Sequence, residues 1–216
     1  MSGCCAPPGC TDFFDEDAAR RDARRYRRKG LDGTAQRIVD FLAARGLQGG
    51  TVLEIGGGVG AIQIELLKAG AERTIGAEIS PAYDEEARAL LREARLEERV
   101  ERRLANVAED PEAVEPADTV VMHRVVCCYP DAETLVGAAA GRARSRLVLS
   151  FPRERALTRL GIRLLNRVMR LRGSDFRAYV HSVGTIVGAA RARGLEPVLE
   201  HRGFVWQVAA FERPTA

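Results

Sequence analysis

The sequence predicts an α/β fold: a Rossmann-like, doubly wound sheet of about seven strands, mostly parallel with the last strand antiparallel, and helices on both faces. Three observations support this fold. Short apolar runs alternate with helical patterns along the chain, as in parallel sheets with crossover helices. A glycine-rich loop, residues 56–60, follows the first run. The last two runs are separated by only two residues, which suits an antiparallel hairpin at one edge of the sheet.

The length and composition indicate one globular domain. The chain has 216 residues, of which 46% are hydrophobic and 29% charged, enough for a single sizeable core. The net charge is only +3, so nucleic acid is not expected as a partner. No apolar run approaches the roughly 18 residues of a membrane-spanning helix, and the first residues do not resemble a secretory signal. We therefore expect a cytoplasmic protein.

Residues 1–45 are predicted to form an N-terminal cysteine-rich arm and a helical cap, and residues 46–216 the ligand-binding domain. Residues 1–11 are rich in Cys, Pro and Gly, which is typical of irregular structure. From Asp12 to about Arg45, apolar residues recur at helical spacing among many charges. Three glycines within residues 46–50 then end the helical pattern.

Seven strands are predicted after this cap. Between the second and third, Ser80 and Pro81 predict a helix start, with Ser80 as the N-cap and Pro81 in the first helical position. The predicted strands cover residues 51–55, 74–79, 99–104, 118–122, 146–150, 195–201 and 204–212.

An amphipathic basic helix is predicted from Arg153 to Arg172, after the fifth strand. Apolar and arginine residues both recur there at helical spacing. Three interpretations remain open: a surface helix packed on the core, a lid over a large apolar and acidic substrate, or a contact with a membrane surface. The two series are Leu160, Leu164, Val168 and Leu171, and Arg159, Arg163, Arg167 and Arg170.

The motif Glu54-Ile-Gly56-Gly-Gly58-Val-Gly60 carries most of the functional argument. It lies between the end of the first predicted parallel strand and the start of the next helix. Doubly wound sheets bind their ligands at such positions. Glycines permit sharp turns and close approach of a ligand. A Walker loop is excluded because no Gly-Lys-Ser/Thr follows.

Glu54 favours S-adenosylmethionine (SAM) over a dinucleotide. A dinucleotide places a pyrophosphate at the helix N-terminus, where a neighbouring anion gives no advantage. SAM has no phosphate, and its amino and sulfonium groups are cationic. The glycine loop also begins some fifty residues into the chain, and no second domain remains for the substrate of a dehydrogenase.

Further cofactor contacts are expected at the ends of the second and third strands. Glu78, with Ile79 beside it, lies about 20 residues beyond the glycines, where an acidic group grips ribose hydroxyls. Asn106 follows the third strand and is a candidate for the adenine edge. Helix capping or solvation for Glu78, and a turn for Asn106, are the structural alternatives.

These pieces together resemble the class I SAM-dependent methyltransferase family over about residues 30–213. The motif Gly76-Ala-Glu-Ile-Ser80 and the terminal hairpin belong to the resemblance. The chain is also loosely similar to magnesium-protoporphyrin O-methyltransferases, in Phe13-Phe14 and in the turn that runs from Val125 to Asp131. The resemblance implies methyl transfer to a small molecule, with a carboxylate or hydroxyl oxygen favoured as the acceptor.

The predicted catalytic residues follow the fourth strand. His123 is the candidate general base for a hydroxyl acceptor, although packing against adenosine is an equal alternative. Arg124 either pairs with a substrate carboxylate or faces water, two equal alternatives, and Tyr129 lies in the same turn. Asp131 is interpreted as a helix N-terminal residue, and His181 as structural.

Five cysteines leave a second class of function open. Their odd number and two adjacent pairs favour a reducing compartment. An arm folded over the site would gather thiols suited to a thiophilic metal, but the spacing is not that of a zinc site, and no metal is predicted. The alternatives are thus an NAD-dependent oxidoreductase, or a non-catalytic protein that binds such a metal or a partner. The cysteines are Cys4, Cys5, Cys10, Cys127 and Cys128.

Overall fold

A seven-stranded sheet lies at the centre of the structure, a computed structural model that describes residues 7–214. The strand order is β3-β2-β1-β4-β5-β7-β6. The strands are β1 (Thr51–Ile55), β2 (Arg73–Glu78), β3 (Val100–Leu104), β4 (Ala117–His123), β5 (Ala143–Pro152), β6 (Glu196–Arg202) and β7 (Trp206–Glu212). This is the Rossmann-like fold that the alternating pattern predicted, with helices around a mostly parallel sheet.

The terminal hairpin is built into the sheet. Strand β7 pairs antiparallel with both β5 and β6, so it lies between them and β6 forms the edge. Because β6 and β5 are both antiparallel to β7, they run in the same direction. The last strand is therefore the antiparallel one, as expected, whereas β6 joins the parallel set.

The helices cover both faces of the sheet. In β1, Val52 packs with α3 and α4 on one face, and Leu53 packs with α6 and α8 on the other, because successive side chains of a strand point to opposite faces. All five residues of β1 are buried, which is typical of a central parallel strand. The helices are α1 (Cys10–Phe13), α2 (Glu16–Lys29), α3 (Gly33–Ala44), α4 (Ala61–Lys68), α5 (Asp84–Ala94), α6 (Ala132–Arg142), α7 (Ala156–Leu171) and α8 (Val183–Arg191).

The N-terminal helices pack on the same sheet and its helices. Helix α2 begins at an Asp15 cap and contributes buried alanines to a cluster with Tyr83 and Leu90 of the α5 region. Ser80 is the N-cap residue of a short 3₁₀ helix, Pro81–Tyr83, with Pro81 in the first helical position as predicted, but its side chain makes no capping hydrogen bond. Its hydroxyl instead donates to the Phe14 carbonyl (2.6 Å) and ties the N-terminal segment to the end of β2. A boundary at residue 45 stays a prediction.

Helix α7 follows β5 as predicted, but none of its residues is buried. Ile162 and Met169 pack against a small cluster with Cys10 and Phe176. Its other sides face outward. Over residues 7–214, no helix is both long enough and apolar enough to cross a membrane.

We expect Phe211→Ala to lower the free energy of unfolding by about 3–5 kcal/mol, because the Phe211 ring is completely buried between the sheet and its helices. Phe204, in the same hairpin, is 78% exposed and serves as the matched control. Phe204→Ala should change the free energy by less than about 0.5 kcal/mol. Urea denaturation of both variants measures the difference. Equal losses would contradict the assignment of this face of the sheet as the core.

Candidate active site

A pocket of about 360 Å³ opens at the carboxyl ends of β1, β2 and β4. This is where doubly wound sheets bind ligands. It brings together nine of the ten predicted site residues, from four separate parts of the sequence. They are Glu54, Gly56, Gly58, Glu78, Ile79, Asn106, His123, Arg124 and Tyr129.

The glycine loop forms the floor of this pocket. Gly56 has a φ of 67°, and a Cβ there would lie 2.6 Å from Val125 Cγ2, so the position requires glycine. Gly60 is the predicted residue that the structure does not bring to the pocket wall. It is the N-cap of α4, with a φ of 75°.

Glu54 lies directly under this loop and is 1% exposed. A Cβ at Gly57 would approach Glu54 Oε2 to 2.5 Å, so glycine makes room for the carboxyl group. Burial raises the pKa of Glu54 to about 8, and the negative charge of Glu78 acts in the same direction. The Oε2 atom has no hydrogen-bond partner among residues 7–214. An unsatisfied carboxyl beside a pocket favours a cationic ligand group.

Glu78 is held at the end of β2 by three backbone amides. Its Oε2 accepts from Gly58 N (2.9 Å), and its Oε1 accepts from Ile79 N (2.8 Å) and Ser80 N (3.0 Å). The carboxylate therefore fixes the glycine loop against the second strand. Each carboxylate oxygen has lone pairs for more than one donor, so Glu78 retains acceptor capacity toward the pocket.

Asn106 and Tyr129 lie on another part of the pocket wall. Asn106 is buried, and its Oδ1 accepts from Ala108 N at 3.2 Å in a tight turn after β3. Burial raises the pKa of Tyr129, and a hydrogen bond with the Asn106 side chain opposes this rise. Asn106 is therefore both a turn residue and part of the pocket wall.

His123 has contacts at both ring nitrogens. Its Nδ1 lies 2.9 Å from Ser150 Oγ, and its Nε2 lies 3.5 Å from Asp32 Oδ2. Burial lowers the pKa of His123, against the opposing effect of Asp32, so the imidazole is neutral at pH 7. To act as a base it would have to exchange one of these two contacts for a substrate proton.

Asp32 is a central residue of the site that sequence analysis missed. Its Oδ1 caps α3 by accepting from Thr34 N (2.8 Å) and Ala35 N (3.2 Å). Its Oδ2 lies 3.1 Å from Arg124 Nη2. Although burial acts to raise the pKa of Asp32, the contacts with His123 and Arg124 hold it well below its usual range. The local signal was a helix cap, and nothing near it in sequence indicated the pocket.

Arg124 lies between an anion and an aromatic ring. Besides its contact with Asp32, its guanidinium carbon lies 4.6 Å from the centre of the Trp206 ring. The backbone of Arg124 has a φ of 60°, unusual for a residue with a side chain, and its Nε is buried without a partner within the described chain. Such backbone strain occurs at functional sites more often than elsewhere.

Helix α2 and the segment after β2 complete the pocket wall with residues that the sequence did not single out. Tyr83 donates its hydroxyl hydrogen to Asp22 Oδ2 (3.1 Å), and Tyr26 donates to Glu65 Oε1 (2.5 Å). These pairs are separated by 61 and 39 residues in sequence. Only the packed structure brings Asp22, Tyr26 and Tyr83 together at the pocket wall.

The thiols near the pocket do not form a metal site among residues 7–214. Cys10 and Cys128 both line the pocket, and Cys127 Sγ lies 3.8 Å from Cys128 Sγ. Burial raises the pKa of Cys10 to about 11, so this sulfur is a thiol at pH 7. Cys4 and Cys5 of the predicted arm lie outside the described residues.

Comparison with known proteins finds a methyltransferase domain within the chain. Residues 52–145 match the family model of a methyltransferase domain. No curated protein matches the chain in sequence. Magnesium protoporphyrin IX methyltransferase from Synechocystis PCC 6803, solved with S-adenosylhomocysteine (SAH) bound, is 24% identical. The match covers 94% of this chain and 97% of that one, with a TM-score of 0.74.

Two further solved structures share the fold at lower identity. An O-methyltransferase family 2 protein from Planctomyces limnophilus, in complex with apigenin, is 20% identical, with 92% and 62% of the two chains covered and a TM-score of 0.68. Geranyl diphosphate C-methyltransferase from Streptomyces coelicolor is 15% identical, with 83% and 81% covered and a TM-score of 0.65.

The family match and the fold confirm the resemblance that the glycine motif, Glu78 and the terminal hairpin indicated. The family match includes the glycine loop, the end of β2 and all of β4, which supply most of the predicted pocket residues. The structural matches extend the same fold over the helices at both ends of the chain. Residues 52–145 are therefore a methyltransferase domain, and the chain as a whole has the fold of class I SAM-dependent methyltransferases.

Proposed function

We propose that this chain binds SAM in the pocket at the carboxyl ends of β1, β2 and β4, and transfers a methyl group to an oxygen of a small-molecule acceptor. One observation carries the proposal. The glycine loop, two carboxyl groups and Asn106 line the same pocket as His123 and Arg124. A cofactor half and an acceptor half therefore share a single cavity.

The cofactor half suits the charge of SAM. Glu54 and Glu78 would favour its cationic amino and sulfonium groups, and Glu78 also offers a carboxylate for ribose hydroxyls. Ile79 and Asn106 would contact the adenine, through packing and hydrogen bonding. Bound there, SAM supplies an electrophilic methyl group, and acceleration comes mainly from holding the acceptor in line with it.

The acceptor half favours a carboxylate over a hydroxyl. Arg124 is a fixed cation at the end of β4, and a carboxylate nucleophile needs no base. His123 is the candidate base for a hydroxyl acceptor, but both of its ring nitrogens already have contacts. The protoporphyrin, apigenin and geranyl diphosphate named for the solved relatives support a large, apolar small molecule as the acceptor.

The rival functions differ in their ligands. The methyltransferase family match counts against an NAD-dependent oxidoreductase. A non-catalytic protein that binds SAM remains separable by experiment, since it would show cofactor binding without methyl transfer. A cytoplasmic location stays a prediction.

We expect Glu78→Gln to weaken SAM binding about tenfold or more, because a charge-assisted hydrogen bond to the ribose would be lost. Isothermal titration calorimetry measures this. Glu133→Gln, at the exposed start of α6, is the matched control and should bind like the unmodified chain. Titration of the unmodified chain with NADH should give no heat of binding. Absence of SAM binding by the unmodified chain would reject the proposal.

SAM affinity should rise with pH up to about 8, by at most tenfold per pH unit, because Glu54 must lose its proton to pair with a cation and burial raises its pKa to about 8. Since pairing lowers that pKa, SAM binding below pH 8 should release a proton. Titrations in buffers of different ionisation enthalpy detect the release. The Glu54→Gln variant controls for titration of SAM itself, and an identical pH profile in that variant would exclude Glu54 as the cause.

Arg124→Gln should lower kcat/KM at least tenfold for acceptors that carry a carboxylate, and change it less than threefold for neutral hydroxyl acceptors, because a charge-assisted contact is worth roughly 1.5–3 kcal/mol. Transfer of labelled methyl groups to a panel of paired aromatic acids and alcohols measures both. SAM binding by the variant is the folding control. If kcat/KM fell equally for the two acceptor classes, Arg124 would not be the residue that binds the substrate carboxylate.

A further inference from the structure

Helix α7 presents three sides with different chemistry. Ile162 and Met169 pack against the cluster around Cys10 and Phe176, and Asn166 exchanges two hydrogen bonds with the backbone of Ala178 (2.8 and 2.9 Å). This side fixes the helix to the protein. The remaining two sides are therefore held in a constant orientation toward the surroundings.

A stripe of leucines forms the second side. Four leucines at helical spacing are between 61% and 79% exposed, an unusual concentration of exposed apolar surface on one helix. They are Leu157, Leu160, Leu164 and Leu171. The hairpin between β6 and β7 adds Phe204, which is 78% exposed, and Val205. It is linked to the start of α7, because Arg153 donates to the carbonyls of Val205 (2.8 Å) and Gly203 (2.9 Å).

Arginines form the third side, next to the leucines. Residues 153–172 contain seven arginines and one glutamate, a net charge of +6, whereas the whole chain has +3. The rest of the chain therefore has a net charge of −3. Within residues 7–214, Arg159 is the one arginine of α7 with a carboxylate partner, Glu154. In α2, by contrast, three of the six arginines pair with acidic side chains: Arg20, Arg25 and Arg27.

We propose that α7 and the β6–β7 hairpin dock this protein on the surface of an anionic lipid bilayer. An exposed leucine stripe flanked by unpaired arginines is the pattern of a helix that lies in the membrane interface, with leucines among the acyl chains and arginines at the headgroups. A second copy of this face would be repelled by its own charge of +6. Nucleic acid would leave the leucines in water.

Docking would place the pocket near the bilayer. The inner side of α7 covers the cluster that contains Cys10, and Cys10 also lines the pocket. An apolar acceptor dissolved in the membrane would then have a short path to the site. Vesicle binding itself does not depend on methyl transfer, so it can be tested separately from the proposed function.

Co-sedimentation of the full chain with vesicles tests the proposal. We expect binding to phosphatidylcholine vesicles that contain 30% phosphatidylglycerol, weak binding to phosphatidylcholine alone, and release at high salt. Leu160→Glu with Leu164→Glu, and separately Arg163→Glu with Arg167→Glu, should each lower the partition coefficient at least tenfold, since each arginine near an anionic surface contributes about fivefold.

The matched controls place the same changes elsewhere. Leu104→Glu changes an exposed leucine at the end of β3, and Arg24→Glu with Arg28→Glu changes two exposed arginines of α2. Both should bind vesicles like the unmodified chain, and thermal unfolding confirms that every variant is folded. No binding to anionic vesicles would overturn the proposal. So would full binding by the leucine variant, equal binding to neutral vesicles, or a dimer that the leucine variant abolishes without any vesicle binding.

Discussion

The arrangement of the site depends on one half-buried carboxylate, Asp32. It caps α3 through two backbone amides and contacts Arg124 and His123 at the end of β4. A half-buried charge is costly unless it is paired. Movement of the N-terminal helices away from the sheet would therefore separate Asp32 from His123 and take from Arg124 its carboxylate partner. Asp32 thus holds the part of the pocket wall that α2 and α3 contribute in register with the carboxyl end of the sheet.

The pocket held in this way has two sides that differ in charge. On one side, Glu54 and Glu78 lie at the ends of β1 and β2, with the glycine loop pinned between them by the amide of Gly58. On the other side, Asp32 accounts for only part of the hydrogen-bonding capacity of Arg124, whose Nε has no partner among residues 7–214. A cationic cofactor and an acidic acceptor would each meet the opposite charge. The same division keeps the acceptor away from the carboxyl groups that would hold SAM.

Sequence analysis identified the parts of this site that are set locally. β1, the glycine loop and the acid at the end of β2 are recognisable because strand, turn and pocket wall fall within a few consecutive residues. Asp32 and His123 are 91 residues apart in sequence, and Arg124 meets Trp206 through the hairpin that inserts β7 beside β5. No local pattern encodes such pairs. The position of Ser80 as an N-cap was predicted correctly, but its hydroxyl contact was not, since the partner is 66 residues away.

The leucines of α7 cannot be explained by the fold. A core helix keeps leucines because burial stabilises it, by about 1.5–3 kcal/mol per side chain, yet α7 has no buried residue. Its attachment to the protein uses Ile162, Asn166 and Met169 on the opposite side. Composition alone is not the reason either, because α2 contains more arginines than α7, and three of its six pair with acidic side chains, whereas one of four does in α7. A surface that is both apolar and anionic, as we propose for this helix, would match the exposed leucines and the unneutralised arginines beside them. The helix covers the cluster beside the pocket, so the same surface would control which acceptors reach the site.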